Sequence, residues 1–198
     1  MTLLTLVRHG QTDWNLARRI QGSSDIPLNL TGEAQALTAA GLLAAGSFDA
    51  IYSSPLIRAH RTAEIIAAEL GLGEPEAVPG VREREFGEGE GLLVGEYLER
   101  YGNWQTPVPG AESLAEVRER AIAALEDIAR AARRRSAPIA ESLLVVTHGG
   151  VIRSLLSHSS RGTIPAEGEH LLNTSVHRFV LERGVLRLLE SETSPAAH

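Results

Sequence analysis

An apolar run, Leu3 to Val7, stops abruptly in Arg8-His9-Gly10. A short apolar run beside the chain start reads as a buried strand, and the polar residues after it read as the loop at its carboxyl end. In open parallel sheets that edge is where ligands bind. The same arrangement recurs far downstream, where Leu143-Leu144-Val145-Val146-Thr147 runs into His148-Gly149-Gly150. Two strands of one sheet that each end in His-Gly predict two imidazoles side by side. That pairing points to a site rather than to two separate core histidines.

The remaining pattern alternates strand and helix. Thr31 to Ala45 is rich in alanine and leucine and reads as a helix capped by Thr31 and ending near Gly46. Ala50–Ser53 reads as a short buried strand, and Leu56–Leu70 as a helix stopped by Gly71. Ser113 and Glu116 form a capping box. Beyond it Leu114, Val117, Ala121, Leu125, Ile128 and Ala132 recur at spacings of three and four, which predicts a long amphipathic helix. Arg133-Arg134-Arg135 at its end suits the helix dipole. Gly150 to Leu156 opens another helix, and Val176–Leu181 with Val185–Leu189 reads as a hairpin turning at Arg183-Gly184. Alternation of this kind predicts an α/β fold, a three-layer sandwich with a mostly parallel central sheet and helices on both faces. One domain is expected over residues 1–190, with 191–198 a loose tail. Within it, residues 86–110 break the regularity with glycines, two prolines, Tyr97, Tyr101 and Trp104, and read as a lid-like insertion over the sheet edge.

The composition limits the chemistry. The chain has 198 residues, enough for one domain with a substantial core. A net charge of −6 argues against nucleic acid or an anionic membrane as partner. No apolar run approaches the roughly 20 residues that span a bilayer. The first residues lead straight into Leu3-Leu4 without a basic region or cleavage site, so a cytoplasmic address is expected. There is no cysteine, which removes disulfides and thiolate nucleophiles. All 19 basic side chains are arginines, so a phosphate site must use Arg, His or backbone amides.

The candidate chemical groups are His9, His148, Arg8, Arg58 and Glu83. Parallel strands put their ends on one edge, where two guanidiniums and two imidazoles make a cationic pocket in an otherwise acidic protein. Such a pocket suits a phosphoryl group, whose oxygens Arg binds in bidentate fashion. An imidazole can attack phosphorus and carry the phosphoryl group covalently. Arginines would hold the transferring oxygens in the transition state. A leaving alkoxide needs a proton, a task for a positioned carboxylic acid. Arg58 opens a helix, where a cation opposes the dipole, and that local misfit favours a functional role. A metal site is disfavoured, because no His-x-His or His-Glu-x-x-His pattern occurs and Arg8 beside His9 would repel a cation. No Asp-x-Asp-x-Thr run offers an aspartyl phosphate. His60, His158, His170, His177 and His198 lack comparable context and read as structural or exposed.

Leu6-Val7-Arg8-His9-Gly10-Gln11-Thr12-Asp13-Trp14-Asn15 resembles the signature of the histidine phosphatase superfamily, the phosphoglycerate mutase-like enzymes. The resemblance continues in order, from residue 3 to about 153. It takes in Gln21-Gly22, Asp25-Ile26-Pro27-Leu28, Thr31-Gly32-Glu33-Ala34-Gln35-Ala36, Ser53-Ser54-Pro55-Leu56-Ile57-Arg58-Ala59 and Thr62-Ala63-Glu64. Glu83 with Phe86-Gly87 and Glu90-Gly91 follows, and Thr147-His148-Gly149-Gly150 closes the set. The resemblance implies His9 as nucleophile and Glu83 as proton donor and acceptor. The spacing to Phe86-Gly87 is what selects Glu83 over Glu85, Glu88 and Glu90. Arg8, Asn15, Arg58, His148 and the Gly149 amide would then bind the phosphoryl group, and Gln21 and Gly22 would lie where leaving groups are recognised. No cofactor and no metal is implied. Two positions depart from the family pattern: Ala111 stands where a second glycine is frequent, and Gly89 where a tryptophan is common.

The family divides into mutases and phosphatases. A mutase needs a second anion subsite, yet the stretch from Phe86 to Gly110 has Arg100 as its only basic residue and four glutamates between Glu88 and Glu99. The expectation is therefore a metal-independent phosphomonoester hydrolase acting through a phosphohistidine on a small phosphorylated metabolite. The alternatives are a phosphoglycerate mutase-type phosphotransferase and an inactive phosphate-binding module. The module is disfavoured because nucleophile, second histidine, both arginines and acid are all present. A homodimer is allowed, and the sequence leaves oligomeric state and substrate open.

Overall fold

The run that opens the chain is strand β1, Thr2–Arg8, in a computed structural model that describes residues 1–136, 141–166 and 169–192. After it come α1 (Asp13–Leu16), α2 (Leu30–Leu43), β2 (Ala50–Ser53), α3 (Ile57–Leu70), β3 (Glu76–Ala77) and α4 (Val94–Tyr101). Then follow α5 (Leu114–Ser136), β4 (Ser142–Thr147), α6 (Gly149–Ser159), β5 (Val176–Glu182) and β6 (Val185–Ser191). The strands make one six-stranded sheet in the order β3-β2-β4-β1-β5-β6. The first four in that order run parallel, and β5 pairs antiparallel with both β1 and β6. The fold is thus α/β, with a mixed, mostly parallel sheet.

The unbroken apolar run of β4 follows from its place in the sheet. Leu143 and Val145 face one side, against α5, α6, Leu4, Leu6 and Phe179. Leu144 and Val146 face the other, against α2, α3, Val7 and Ile51. A strand covered by helices on both faces has no solvent side to spend polar residues on. Each such Leu or Val contributes about 1.5–3 kcal/mol by burial. Helices on both faces give the three layers that the alternation predicts.

Most local expectations hold. Ser113 and Glu116 make the capping box, with Glu116 N donating to Ser113 Oγ at 3.2 Å and Ser113 N to Glu116 Oε2 at 2.7 Å. Gly71 ends α3 with φ +66°, a left-handed residue where glycine carries no Cβ penalty. The β5–β6 hairpin turns at Arg183 and Gly184, both at positive φ, as a two-residue turn requires.

The cap of α2 is a correction. It is Asn29 rather than Thr31, with Asn29 Oδ1 accepting from Gly32 N at 2.9 Å. Asn and Thr both serve as caps. Here Asn29 also reaches the first loop, its N donating to Gln11 O and its Nδ2 to Gln11 Oε1, so tertiary contacts choose between them. The helix ends at Leu43, two residues earlier than the composition suggests. At the other end, α6 runs three residues past Leu156 to Ser159. Residues 193–198 of the expected tail lie outside the described residues.

The stretch from Phe86 to Gly110 has its own small core. Tyr97, Val108 and Ile20 are buried together, with Phe86, Leu92, Val94 and Tyr101 around them. Its ends meet where Phe86 bridges Ala111, and its front edge pairs with residues 18–20 through Ile20 N to Leu92 O and Gly91 N to Ile20 O. The departure at Gly89 has a physical reason. A Cβ there would sit 2.7 Å from the Tyr97 ring, so Tyr97 occupies the space a larger side chain would need.

Candidate active site

Pairing of β1 with β4 sets Arg8 opposite Thr147, so the next residue of each strand leaves the sheet at the same edge. His9 N donates to Thr147 O at 2.9 Å, and the His9 and His148 ring centroids are 5.1 Å apart. Both imidazoles are buried. His9 Nδ1 lies 2.7 Å from Gly10 O. A carbonyl only accepts, so Nδ1 carries the proton and Nε2 keeps a lone pair in the neutral ring. Burial, reinforced by Arg58 and Arg8, holds the His9 pKa well below 6.5. Burial does the same for His148, with Arg58 and His9 adding to it. Neither ring nitrogen of His148 has a partner among the described residues. Buried polar atoms without partners are costly.

Arg58 enters from the second helix position of α3 and is fully buried. Its Nη1 donates to Ser24 O and its Nη2 to Gly22 O, each at 2.8 Å. Its Nε has no partner among the described residues. Two of its five N–H groups are therefore spent on holding the 22–24 loop and three remain. Arg8 donates through Nη1 to Leu171 O, and its buried Nε is likewise without a partner. Burial lowers the Arg8 pKa to about 10, opposed by the charge of Glu83 and aided by those of Arg153 and Arg58. It stays a cation at neutral pH. Gly149 faces it, a Cβ there falling 3.4 Å from Arg8 Nε.

Among the acids of the 83–90 stretch, geometry separates one from the rest. Glu83 Oε2 accepts from Gly150 N at 3.2 Å, at the start of α6 beside His148, and Oε1 accepts from Arg84 N at 2.8 Å. Glu85 pairs instead with Arg82 at 2.9 Å, and Glu88 lies 3.9 Å from Arg100. Glu90 accepts from Ser23 N, from both Ser23 and Ser24 hydroxyls and from Phe86 N. It braces the loop whose Gly22 and Ser24 carbonyls hold Arg58. Gly22 sits at φ +52°, and a Cβ on it would lie 2.1 Å from Glu90 Oε1.

The other expected residues line the same edge. Asn15 is the third residue of α1, which Thr12 caps, and its Oδ1 accepts from Thr12 N at 3.1 Å. Gln21 is buried, with Oε1 accepting from Thr12 Oγ1 at 3.0 Å. His9, Arg8, Arg58, His148, Glu83, Asn15, Gln21, Gly22 and Gly149 are thus brought to one edge of the sheet. His177 is buried between the Ser175 and Ser191 hydroxyls, and His60 bonds Ser53 Oγ. His158 and His170 are exposed. His198 lies outside the described residues.

Three further residues support the site; Thr62 falls in the Thr62-Ala63-Glu64 segment of the resemblance, whereas Arg120 and Asn173 carry no legible sequence signal. Arg120 donates to the carbonyls of Gly80, Arg82 and Glu83 and pairs with Glu112 at 2.7 Å, which fixes the backbone that presents Glu83. Thr62 Oγ1 accepts from Gly10 N and donates to Arg58 O, linking the two loops. Asn173 donates to His9 O. Arg120 reads from sequence as a surface position of an amphipathic helix, and its partners are distant in the chain.

Residues 4–193 match the profile of the Histidine phosphatase superfamily (branch 1). The chain belongs to that superfamily. The chain is 39% identical over 173 residues to the uncharacterized phosphatase PhoE of Bacillus subtilis (strain 168), covering 87% of this chain and 85% of that one. It is 37% identical over 192 residues to phosphoglycerate mutase-like protein 4 of Arabidopsis thaliana, covering 91% and 80%. Its fold matches that of a phosphoserine phosphatase mutant from Entamoeba histolytica in complex with phosphoserine, with a TM-score of 0.76, 29% identity and coverage of 96% of each chain. Membership of this histidine phosphatase family makes phosphatase or mutase chemistry the expected range. Among the described residues no helix is long and apolar enough to cross a membrane, and no three His, Cys, Asp or Glu side chains are grouped to hold a metal ion.

Proposed function

We propose that this histidine phosphatase superfamily member is a metal-independent phosphomonoester hydrolase that works through a phosphohistidine on His9. The observation that carries the proposal is the state of the two imidazoles. His9 is neutral, with Nδ1 tied to Gly10 O and Nε2 available, beside a His148 whose nitrogens lack protein partners. In this mechanism Nε2 of His9 attacks phosphorus. Arg8, Arg58, His148, Asn15 and the Gly149 amide at the α6 N-terminus hold the phosphoryl oxygens, and their field stabilises the charge that builds in the transition state. Glu83 protonates the leaving alkoxide and then takes a proton from the water that hydrolyses the phosphohistidine. Gln21 and Gly22 border the leaving group, and the stretch from Phe86 to Gly110 acts as a lid over it.

Small phosphorylated metabolites are the expected substrates. A mutase reading is kept open by the mutase-like relative, but the cations beside the lid favour hydrolysis. Arg100 sits 3.9 Å from Glu88, Arg84 donates to Trp104 O and Glu112 O, and Arg19 donates to Gly91 O. Arg84 and Arg19 are committed in this way, and Arg100 faces an acid. That leaves Arg18 as the cation at the lid edge without a carboxylate or carbonyl partner for its side chain among the described residues, and makes a second phosphate site poorer than a mutase needs. Release of inorganic phosphate from an aryl phosphate in excess chelator tests the proposal. Turnover should persist. Activity that vanishes with chelator and returns with a divalent ion would overturn it.

A further inference from the structure

We propose that Asn173 is a positioning residue for the phosphoryl site, presenting Asn15 and fixing the carbonyl of His9. The proposal rests on the phosphohistidine mechanism above. Asn173 lies in the turn before β5, outside every motif that marks the site in the sequence. Its Nδ2 donates to His9 O at 2.9 Å and lies 3.4 Å from Asn15 Oδ1. An amide nitrogen has two hydrogens, so one group spans both residues. The other lone pair of Asn15 Oδ1 takes Thr12 N at 3.1 Å. Thr12 Oγ1 also lies 3.1 Å from that oxygen, so Thr12 and Asn173 together hold the Asn15 amide in one orientation and leave Asn15 Nδ2 out of these contacts. That nitrogen is the group the proposed mechanism uses on phosphate.

The backbone around Asn173 is built to keep it there. Thr174 N donates to Arg8 O at 3.0 Å, and Arg8 N donates to Ser175 O at 3.1 Å. Leu171 O accepts from the Arg8 guanidinium. The turn therefore grips Arg8 at backbone and side chain, His9 at its carbonyl and Asn15 at its amide. Thr174 stands at φ +61°, a rare conformation for a β-branched residue, and its Oγ1 donates to Asn173 O at 2.7 Å. Strain of this kind persists where surrounding contacts over-determine it, and it concentrates at functional sites. Here it sets the direction of the neighbouring amide.

The experiment compares wild type, Asn173→Ala, Asn173→Asp, Asn15→Ala and the double variant Asn15→Ala/Asn173→Ala. Orthovanadate affinity, and kcat and KM on an aryl phosphate, are read alongside thermal stability. Asn173→Asp keeps the shape but turns two donors into acceptors that repel His9 O and Asn15 Oδ1. A small misplacement at a reacting centre costs up to about 100-fold. Asn173→Ala should lower kcat about tenfold and Asn173→Asp about 100-fold, vanadate affinity falling in parallel and KM moving little. In the Asn15→Ala background, Asn173→Ala should cost far less than in wild type, because residues that act through one another are non-additive. Unchanged vanadate affinity and kcat in both single variants would overturn the assignment, as would a full, additive cost in the Asn15→Ala background. A lowered melting temperature with unchanged kcat per folded molecule would also overturn it, leaving a purely structural residue. Wild-type protein that binds no vanadate would instead overturn the phosphatase mechanism, and this inference with it.

Discussion

Glu83→Gln is the substitution whose effect depends most on the details of the site. The Glu83 carboxylate takes one backbone N–H on each oxygen, Arg84 N at 2.8 Å and Gly150 N at 3.2 Å. Glutamine keeps one acceptor and turns an amide N–H toward the other donor. It therefore loses an anchor as well as the transferable proton. General acid help is worth about 10²- to 10⁴-fold, equivalent to about 3–5 kcal/mol of barrier. That help matters only where the leaving group is a strong base. Hydrolysis of an alkyl ester such as glycerol phosphate should fall by the full factor. Phosphorylation of the enzyme by an aryl phosphate with an acidic phenol should fall much less. The second step loses its base with either substrate, so phosphoenzyme should accumulate and a burst of phenol should precede a slow steady state. Rapid-mixing measurement of the burst for both substrates separates the two steps. Glu85→Gln is the control, because Glu85 is paired with Arg82, and should keep activity near wild type. An equal loss of the first step with both substrates would refute the proton-donor role. Leaving-group dependence in Glu85→Gln would refute the choice of acid.

Two further outcomes follow from the charges. With phosphoglycerates as substrates, the protein should release inorganic phosphate or do nothing, and fast isomer interconversion stimulated by a bisphosphate would overturn hydrolysis as the activity. Stability should fall on acidification below about pH 6.5, because His9, His148 and His177 are all held neutral by burial at pKa values below those of the unfolded chain. The unfolded state then binds more protons, so stability rises with pH across this window. His177, lowered to about 4 and fully buried, should alone account for roughly 2 kcal/mol between pH 7 and pH 5. Urea unfolding of His177→Asn at both values should show an acid loss smaller by about that amount, and an unchanged loss would contradict the assignment.

What the sequence makes legible is whatever rests on local periodicity or on a residue and its immediate neighbours. The β1 and β4 runs predict the paired imidazoles because a parallel pair in register needs only two similar strand ends. The α3 stop and the capping box are equally local. Glu83 is different. Several glutamates crowd residues 83–90, and only the fold shows that one reaches Gly150 while the others turn to Arg82, Arg100 or the Ser23-Ser24 loop. Arg58 was legible as a cation out of place, but not its dependence on Gly22 O and Ser24 O. Arg120 and Asn173 were invisible because their contacts span 37 and 164 residues. The cap of α2 departs from the local pattern because the choice between Asn29 and Thr31 is made by Gln11, which that pattern does not include.

The central claim is covalent catalysis by His9, and trapping the intermediate tests it most directly. Protein mixed with labelled substrate should be quenched within milliseconds in alkali and digested under alkaline conditions. The account predicts label on the peptide containing His9, stable to base and released by acid, with none in His9→Ala and no turnover by that variant. Label on a serine, aspartate or another histidine, or full turnover by His9→Ala, would contradict it.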